Sequence, residues 1–274
     1  MKIKKITAVT FSPTGNTKKV AEAIAEDLKN NLDLPMEEVD LTPPEARKRT
    51  YAFGEEDLVI VGTPVYAGRV PNKLLPDLQG ILTGGGASAV AVVTFGNRSF
   101  DDGLVELRNV LEADGFHTVG AAAVPARHAF TDALAADRPD ASDLQQLAAF
   151  ADAIEVIIKF RKDEGGTVAV AGNDLVGPYY TPLGTDGKPA KFLKAKPKTD
   201  LDKCTHCGLC AALCPVGSIS AEDVTAVEGI CIKCQACVRG CPTGAKYFDD
   251  PAFLSHVAML EAHYTRRAEL KTFL

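Results

Sequence analysis

The chain has 274 residues, 46% of them hydrophobic, and a formal net charge of −6. That length suits one or two domains with a sizeable core, and the acidic balance argues against nucleic-acid binding, which asks for a basic face. No run approaches the ~20 apolar residues of a membrane helix. The lysine-rich start before Ile6 is followed by too short an apolar stretch for a signal peptide. The expectation is a cytoplasmic protein with neither a membrane nor a nucleic acid as partner.

The first 165 residues alternate short β-rich runs with amphipathic helical ones. Strands are predicted at Ile3–Phe11, Met36–Leu41, Leu58–Gly62, Ala89–Thr94 and Thr118–Val124. Four of the five are nearly continuous apolar runs, the pattern of parallel strands covered on both faces. Val20, Ile24 and Leu28 mark one helical face, and Leu104, Leu107 and Leu111 mark another. A last helix follows Pro139-Asp140 and carries the stripe Leu144, Leu147, Ala151, Ile154 and Ile158. Lys159, Arg161 and Lys162 stand in its last turn, and Gly165-Gly166 stops it. This alternation predicts a doubly wound α/β domain over residues 1–165.

The first strand feeds directly into Ser12-Pro13-Thr14-Gly15-Asn16-Thr17, where a helix begins. Ligands of open α/β sheets sit at the carboxyl ends of strands, and a helix N-terminus offers unpaired N–H groups to a phosphate. Gly15 allows close backbone approach, while Ser12, Thr14 and Thr17 supply hydroxyls. Neither the ATP-binding P-loop nor the dinucleotide glycine fingerprint is present. A phosphate monoester is the expected guest. Two further strand ends bear on the same site. The third strand runs into Gly62-Thr63-Pro64-Val65-Tyr66-Ala67-Gly68-Arg69-Val70-Pro71, and the fourth into Thr94-Phe95-Gly96-Asn97-Arg98-Ser99-Phe100.

Taken together, the three loops make residues 1–165 resemble the flavodoxins. The resemblance implies a five-stranded parallel sheet of order 2-1-3-4-5, an FMN phosphate on the first loop and an isoalloxazine ring between the other two. It places Tyr66, Phe95 or Phe100 beside the ring, the backbone of Val65 to Gly68 at its polar edge, and Pro64, Thr94, Gly96 and Asn97 in the same walls. Two departures stand out. The chain has no Trp, which many flavodoxins use here, and Arg69 and Arg98 occupy loops that are commonly acidic. A guanidinium beside the ring would favour a reduced, anionic flavin.

Residues 166–200 read as a linker rich in Gly, Pro, Thr and Lys. Lys188, Lys191, Lys194, Lys196 and Lys198, with Lys203 beyond them, suit a docking strip for an acidic redox partner or, the favoured reading, a solvated connector. Residues 201–248 hold all eight cysteines as two runs at an offset of 27. They are Cys204-x2-Cys207-x2-Cys210-x3-Cys214-Pro and Cys231-x2-Cys234-x2-Cys237-x3-Cys241-Pro. Disulfides would suit a secreted chain, and zinc sites use separated cysteine pairs rather than three-in-a-row runs. The runs resemble those of bacterial-type ferredoxins with two [4Fe–4S] clusters, in which the fourth cysteine of each run ligates the other cluster. That resemblance groups Cys204, Cys207, Cys210 and Cys241 on one cluster. It groups Cys231, Cys234, Cys237 and Cys214 on the other. Within residues 249–274, Asp250 is read as the N-cap of a final helix with Pro251 at its first position. Phe253, Val257, Leu260 and Tyr264 share its packed face.

The whole chain is thus similar to the flavodoxin–ferredoxin fusions of the EFR type. The similarity implies electron transfer between FMN and two [4Fe–4S] clusters, with protein redox partners. Two other readings stand beside it. An FMN-dependent reductase of a small molecule would be fed by the clusters, with His128 as a proton donor on the Pro125–Asp140 segment. An FMN-free scaffold would dock the ferredoxin part onto a larger redox complex.

Overall fold

A computed structural model describes residues 3–160, 166–173 and 175–274 of the chain. Arg161, Lys162 and Gly165, which the sequence places at the end of the fourth long helix, lie outside the described residues. Five parallel strands alternate with helices: β1 (Lys5–Thr10), α1 (Asn16–Leu32), β2 (Met36–Asp40), β3 (Asp57–Pro64), α2 (Leu75–Ile81), β4 (Ser88–Phe95), α3 (Gly103–Ala113), β5 (His117–Pro125) and α4 (Ala141–Phe160). Their order is β2-β1-β3-β4-β5, the doubly wound flavodoxin-like arrangement.

Both faces of the sheet are dry, which is why its strands read as continuous apolar runs. Along β4, Val90 and Val92 face a core built with Val20, Ile24 and Leu28 of α1 and Leu147, Ile154 and Ile158 of α4. The alternate residues Ala89, Ala91 and Val93 face a second core with Leu104, Leu107 and Leu111 of α3. Side chains of successive strand residues point to opposite faces, so one strand serves two cores. The predicted stripes of α1, α3 and α4 are the buried faces of those helices.

The ferredoxin-type region supplies two short helices, α5 (Leu209–Ala212) and α6 (Ala236–Arg239), and the C-terminal segment supplies α7 (Pro251–His263). Asp250 caps α7, its carboxylate accepting the Phe253 N–H at 2.9 Å, with Pro251 in the first turn. Phe253 and Leu260 are buried beneath it. The chain then differs from a helix running to its last residue. It leaves α7 at His263 and returns to the sheet as β6 (Lys271–Phe273), antiparallel to β5 through Lys271↔Ala123 and Phe273↔Ala121. The sheet therefore has six strands, and β6 covers the edge that β5 would otherwise expose.

Residues 166–200 are more than a solvated connector. Val168, Phe192 and Ala195 are buried, and Asp102 accepts the Asn173 N–H at 2.9 Å and the Gly177 N–H at 2.8 Å. The lysines of the segment are exposed, as both sequence readings of the strip require. Its aromatic residues form a strap across the carboxyl ends of the strands.

Candidate functional site: a cofactor cavity beside the cysteine repeat

The loop after β1 leaves donors free at the head of α1. Gly15 occupies the N-cap at φ 85°, a left-handed conformation that glycine adopts without steric cost. No side chain caps the helix from that position. Ser12 instead turns inward: its hydroxyl accepts the Lys18 N–H at 2.9 Å, and its own N–H donates to Thr42 Oγ1 at 2.8 Å. Thr17 Oγ1 shares a buried hydrogen bond of 2.7 Å with Thr94 Oγ1, fixing the helix start against β4. Among the described residues, the backbone N–H groups of Thr14, Asn16 and Thr17 and the Thr14 hydroxyl have no hydrogen-bond partner. Thr14, Asn16 and Thr17 line a cavity of about 570 Å³. Unpaired amides at the positive end of a helix, facing a cavity of ordinary ligand size, are a cradle that could hold a phosphate.

The other two loops supply the walls. Pro64, Val65, Tyr66, Ala67 and Gly68 line the cavity on one side, and Thr94, Phe95, Gly96 and Arg98 on the other. Five residues singled out in the sequence lie outside this lining: Ser12, Gly15, Arg69, Asn97 and Phe100. Phe100 is buried against Phe95, with ring centroids 5.5 Å apart. Asn97 donates to the carbonyls of Tyr264 and Arg266 at 2.5 and 2.6 Å and accepts the Ala268 N–H at 3.2 Å, so it pins the C-terminal tail. The expectation of Arg69 beside the ring is corrected by its partners. Its guanidinium pairs with the buried Glu106, donates to the Gly177 carbonyl at 2.9 Å and lies over the Tyr179 ring. Arg69 holds the strap. Arg98 does reach the cavity, paired with Asp101 and 4.0 Å from the Tyr180 ring centroid.

Several lining residues carry no motif of their own. Tyr179, Tyr180 and Phe192 come from the strap, His256 and Leu260 from α7. The Tyr179-Tyr180 pair, set between Gly-Pro and Thr-Pro in a segment read as linker, is the signal that could have found them. Ile230, Cys231, Ile232 and Lys233 line the same cavity, which places the second cysteine run in its wall. Burial holds the Tyr66 hydroxyl well above its ordinary range, and the sulfurs of Cys234 and Cys231 act on it in the same direction. Tyr66 thus lines the cavity within electrostatic reach of that run.

His128 lines the cavity as a neutral group. Burial, helped by His256, Arg239 and Arg98, pushes its imidazole down to about 4. Its Nδ1 accepts the Phe130 N–H at 3.1 Å, which leaves the proton on Nε2. The ring sits so close to Gly96 that a Cβ there would lie 2.2 Å from His128 Cδ2, so only glycine fits that turn.

The cysteine repeat keeps its internal symmetry in the backbone. His206 and Lys233 have φ of 54° and 57°, and Gly217 and Gly244 have 59° and 66°. The Ser218 N–H donates to Cys214 Sγ and the Ala245 N–H to Cys241 Sγ, both at 3.2 Å. All eight thiols are free of disulfides. Cys214, Cys231, Cys234 and Cys237 together line one narrow cavity closed by Ile219, Val227 and Phe248. Among the described residues no three His, Cys, Asp or Glu converge on a single metal ion. A cube, with one iron per thiolate, asks for sulfurs spread around it. Backbone N–H groups aimed at sulfur suit such a cluster.

Comparison with known proteins agrees with both halves. A flavodoxin domain model matches residues 8–76, and models of a 4Fe-4S binding domain match residues 197–220 and 228–244. The chain thus joins a flavodoxin domain and two 4Fe-4S binding domains in one fusion. The methylamine utilization ferredoxin-type protein MauM of Paracoccus denitrificans (strain Pd 1222) is 32% identical over 117 residues, 36% of this chain. The fusion spans about half the length of that relative (52%). Similar solved structures include oxidised flavodoxin 2 from Bacillus cereus, at 19% identity and TM-score 0.41 over 57% of the fusion and 99% of that chain. A flavodoxin from the domain Archaea shows 16% identity and TM-score 0.40 over 57% of the fusion and 99% of that chain. The cofactors that these domains imply for the fusion are FMN and two [4Fe–4S] clusters. The cradle of Thr14, Asn16 and Thr17 fits the FMN phosphate, and the free thiols with their N–H donors fit the clusters. Among the described residues no helix is long and apolar enough to cross a membrane.

Proposed function

We propose that the fusion relays electrons between FMN in the cavity and the two clusters, in a fixed spatial order. The cluster of Cys231, Cys234, Cys237 and Cys214 stands next to the flavin. That of Cys204, Cys207, Cys210 and Cys241 stands toward redox partners. The observation that carries this reading is a single cavity whose lining includes both Thr14, Asn16 and Thr17 of the phosphate loop and Cys231, Ile232 and Lys233 of the second run. When bound, each cluster exchanges one electron and FMN one or two, so the chain's part is placement and tuning.

The two runs differ in exposure in the sense this order needs. Cys234 and Cys237 are buried, whereas Cys207 is exposed, with Leu201 and Leu209 exposed on either side of it. The inner run is shielded by Ile219, Val227 and Phe248, which keeps water from its sulfurs. Ile232 lines both the cofactor cavity and the narrow cavity of the inner run, and Tyr66 lines the former within electrostatic reach of Cys231 and Cys234. The neutral His128, which also lines the cavity, offers an Nε2–H donor without adding charge.

Anaerobic purification is expected to give about one FMN and about eight irons per chain, from four irons per cube. In Cys214→Ala, the paramagnetic spectrum of the inner cluster is expected to be lost or altered while that of the outer one persists. Iron near eight with no flavin would remove the FMN half of the reading. Loss of the outer cluster in Cys214→Ala would show that each run ligates its own cluster and that the order is wrong.

A further inference from the structure

Two lysines of the ferredoxin-type region are buried without a carboxylate in contact. Lys246 is 3% exposed and Lys233 9%. The Lys246 ammonium donates to Thr199 Oγ1 at 2.7 Å and to the Val224 carbonyl. That of Lys233 donates to the Cys231 carbonyl at 2.9 Å and to the Leu193 carbonyl. Neither forms an ion pair among the described residues. Asp223 acts on Lys246, and Asp250 on Lys233, only through space. The deeply buried Arg138, by contrast, is paired through two nitrogens with Asp143. A buried cation is costly unless an anion faces it.

Both lysines lie in the cysteine repeat, among the expected cluster ligands. Lys246 directly follows Ala245, whose N–H donates to Cys241 Sγ at 3.2 Å, and its buried ammonium favours the thiolates of Cys210 and Cys237, one from each expected ligand set. Lys233 stands between Cys231 and Cys234 in sequence, donates to the Cys231 carbonyl at 2.9 Å and lines the cofactor cavity beside Cys231. The repeat itself does not require lysine at either place. Its first half has the buried Ile219 where the second has Lys246, and the exposed His206 where the second has Lys233. Loop geometry is thus met by other residue types, so the lysines answer to charge.

We propose that Lys246 is the buried counter-cation shared by the two clusters, and Lys233 the one shared by the inner cluster and the flavin. Each junction of the redox chain then holds one fixed positive charge. An electron placed on either side of a junction adds one negative charge there, and the ammonium makes that addition easier. Net charge around a cluster is one of the quantities that sets its potential. The assignment of Lys233 rests on the order of cofactors proposed above. That of Lys246 requires only the two clusters.

The test is a spectroelectrochemical titration of the anaerobic full-length protein, with paramagnetic resonance separating the clusters and visible absorption following the flavin. Lys246→Met is expected to lower both cluster potentials and leave the flavin's unchanged. Lys233→Met is expected to lower the inner cluster and the flavin together and leave the outer cluster unchanged. Lys246→Arg and Lys233→Arg are expected to stay near wild type. If a Met variant loses iron, the matching Gln variant, which keeps a donor without the charge, is titrated instead. Unshifted potentials in a fully loaded Met or Gln protein would overturn the proposal. So would equal shifts of all three centres, or iron loss in the Met, Gln and Arg variants alike, which would mark the lysines as packing elements. A Lys246 effect without any Lys233 effect on the flavin would instead count against the order of cofactors.

Discussion

A hydroxyl without a protein partner at the head of a helix is the simplest handle on the cofactor cavity. Thr14 offers one, whereas Thr17 spends its hydroxyl on Thr94. Thr14→Ala is therefore expected to weaken FMN binding by roughly tenfold, about one hydrogen bond to a charged group, with little change in thermal stability. Thr17→Ala is expected to weaken binding and lower the melting temperature as well, because the contact between α1 and β4 is lost. Fluorescence of released FMN reports the first quantity, and unchanged affinity in Thr14→Ala would displace the phosphate cradle. His128 makes the second prediction at this scale. With its imidazole pushed down to about 4 by burial, it stays neutral from pH 5.5 to 8. The slope of flavin potential against pH is expected to match in wild type and His128→Gln across that window. A break near 6.5 that disappears in the variant would instead make His128 a proton donor.

Sequence was informative about residues wherever chemistry is written into local spacing. The cysteine runs and the Ser12–Thr17 loop need only neighbours to make sense. Arg69 was not legible in this way, because its partners Glu106 and Gly177 are brought to it by the fold and not by the chain. A guanidinium in a loop reads the same whether it faces a ring or a carboxylate. Asn97 failed for the same reason, its partners lying in the tail after α7.

Among the elements, the strap bears most on the cavity. Residues 166–200 hold no long helix or strand, so their composition reads as connector, yet Tyr179 and Tyr180 close the cavity and Asp102 anchors the turn before them. Around Tyr179 the strap is fastened to the flavodoxin half by polar contacts of Asp102, Arg69 and Tyr179. Arg69→Ala removes the Gly177 contact and leaves the buried Glu106 without its cation. Limited proteolysis is expected to cut the variant faster than wild type near Tyr179, while far-ultraviolet circular dichroism stays unchanged. Equal cleavage would mean that Arg69 does not hold the strap. The sixth strand was hidden for a related reason. Lys271–Phe273 is too short to show a period of two, and it is fixed by the exposed edge of β5 rather than by its own sequence. Four of the five parallel strands and the helices α1, α3 and α4 were legible because those strands are apolar on both faces and each helix has one buried stripe.

At the scale of the molecule, two halves recognisable separately are joined so that one run of cysteines enters the wall of the other half's cavity. The sequence names both halves through their motifs. It does not say which run faces inward, since the two are near-copies and only tertiary packing distinguishes them. Packing places Ile230–Lys233 beside Tyr66 and leaves Cys207 exposed. The account therefore makes the flavin and the clusters one intramolecular chain. The most direct measurement is flash reduction of the anaerobic, fully loaded protein, delivering less than one electron per molecule and following flavin and cluster absorption in time. The account predicts that the electron equilibrates between cluster and flavin at a rate independent of protein concentration. A rate proportional to concentration, or no exchange between the two centres, would contradict it.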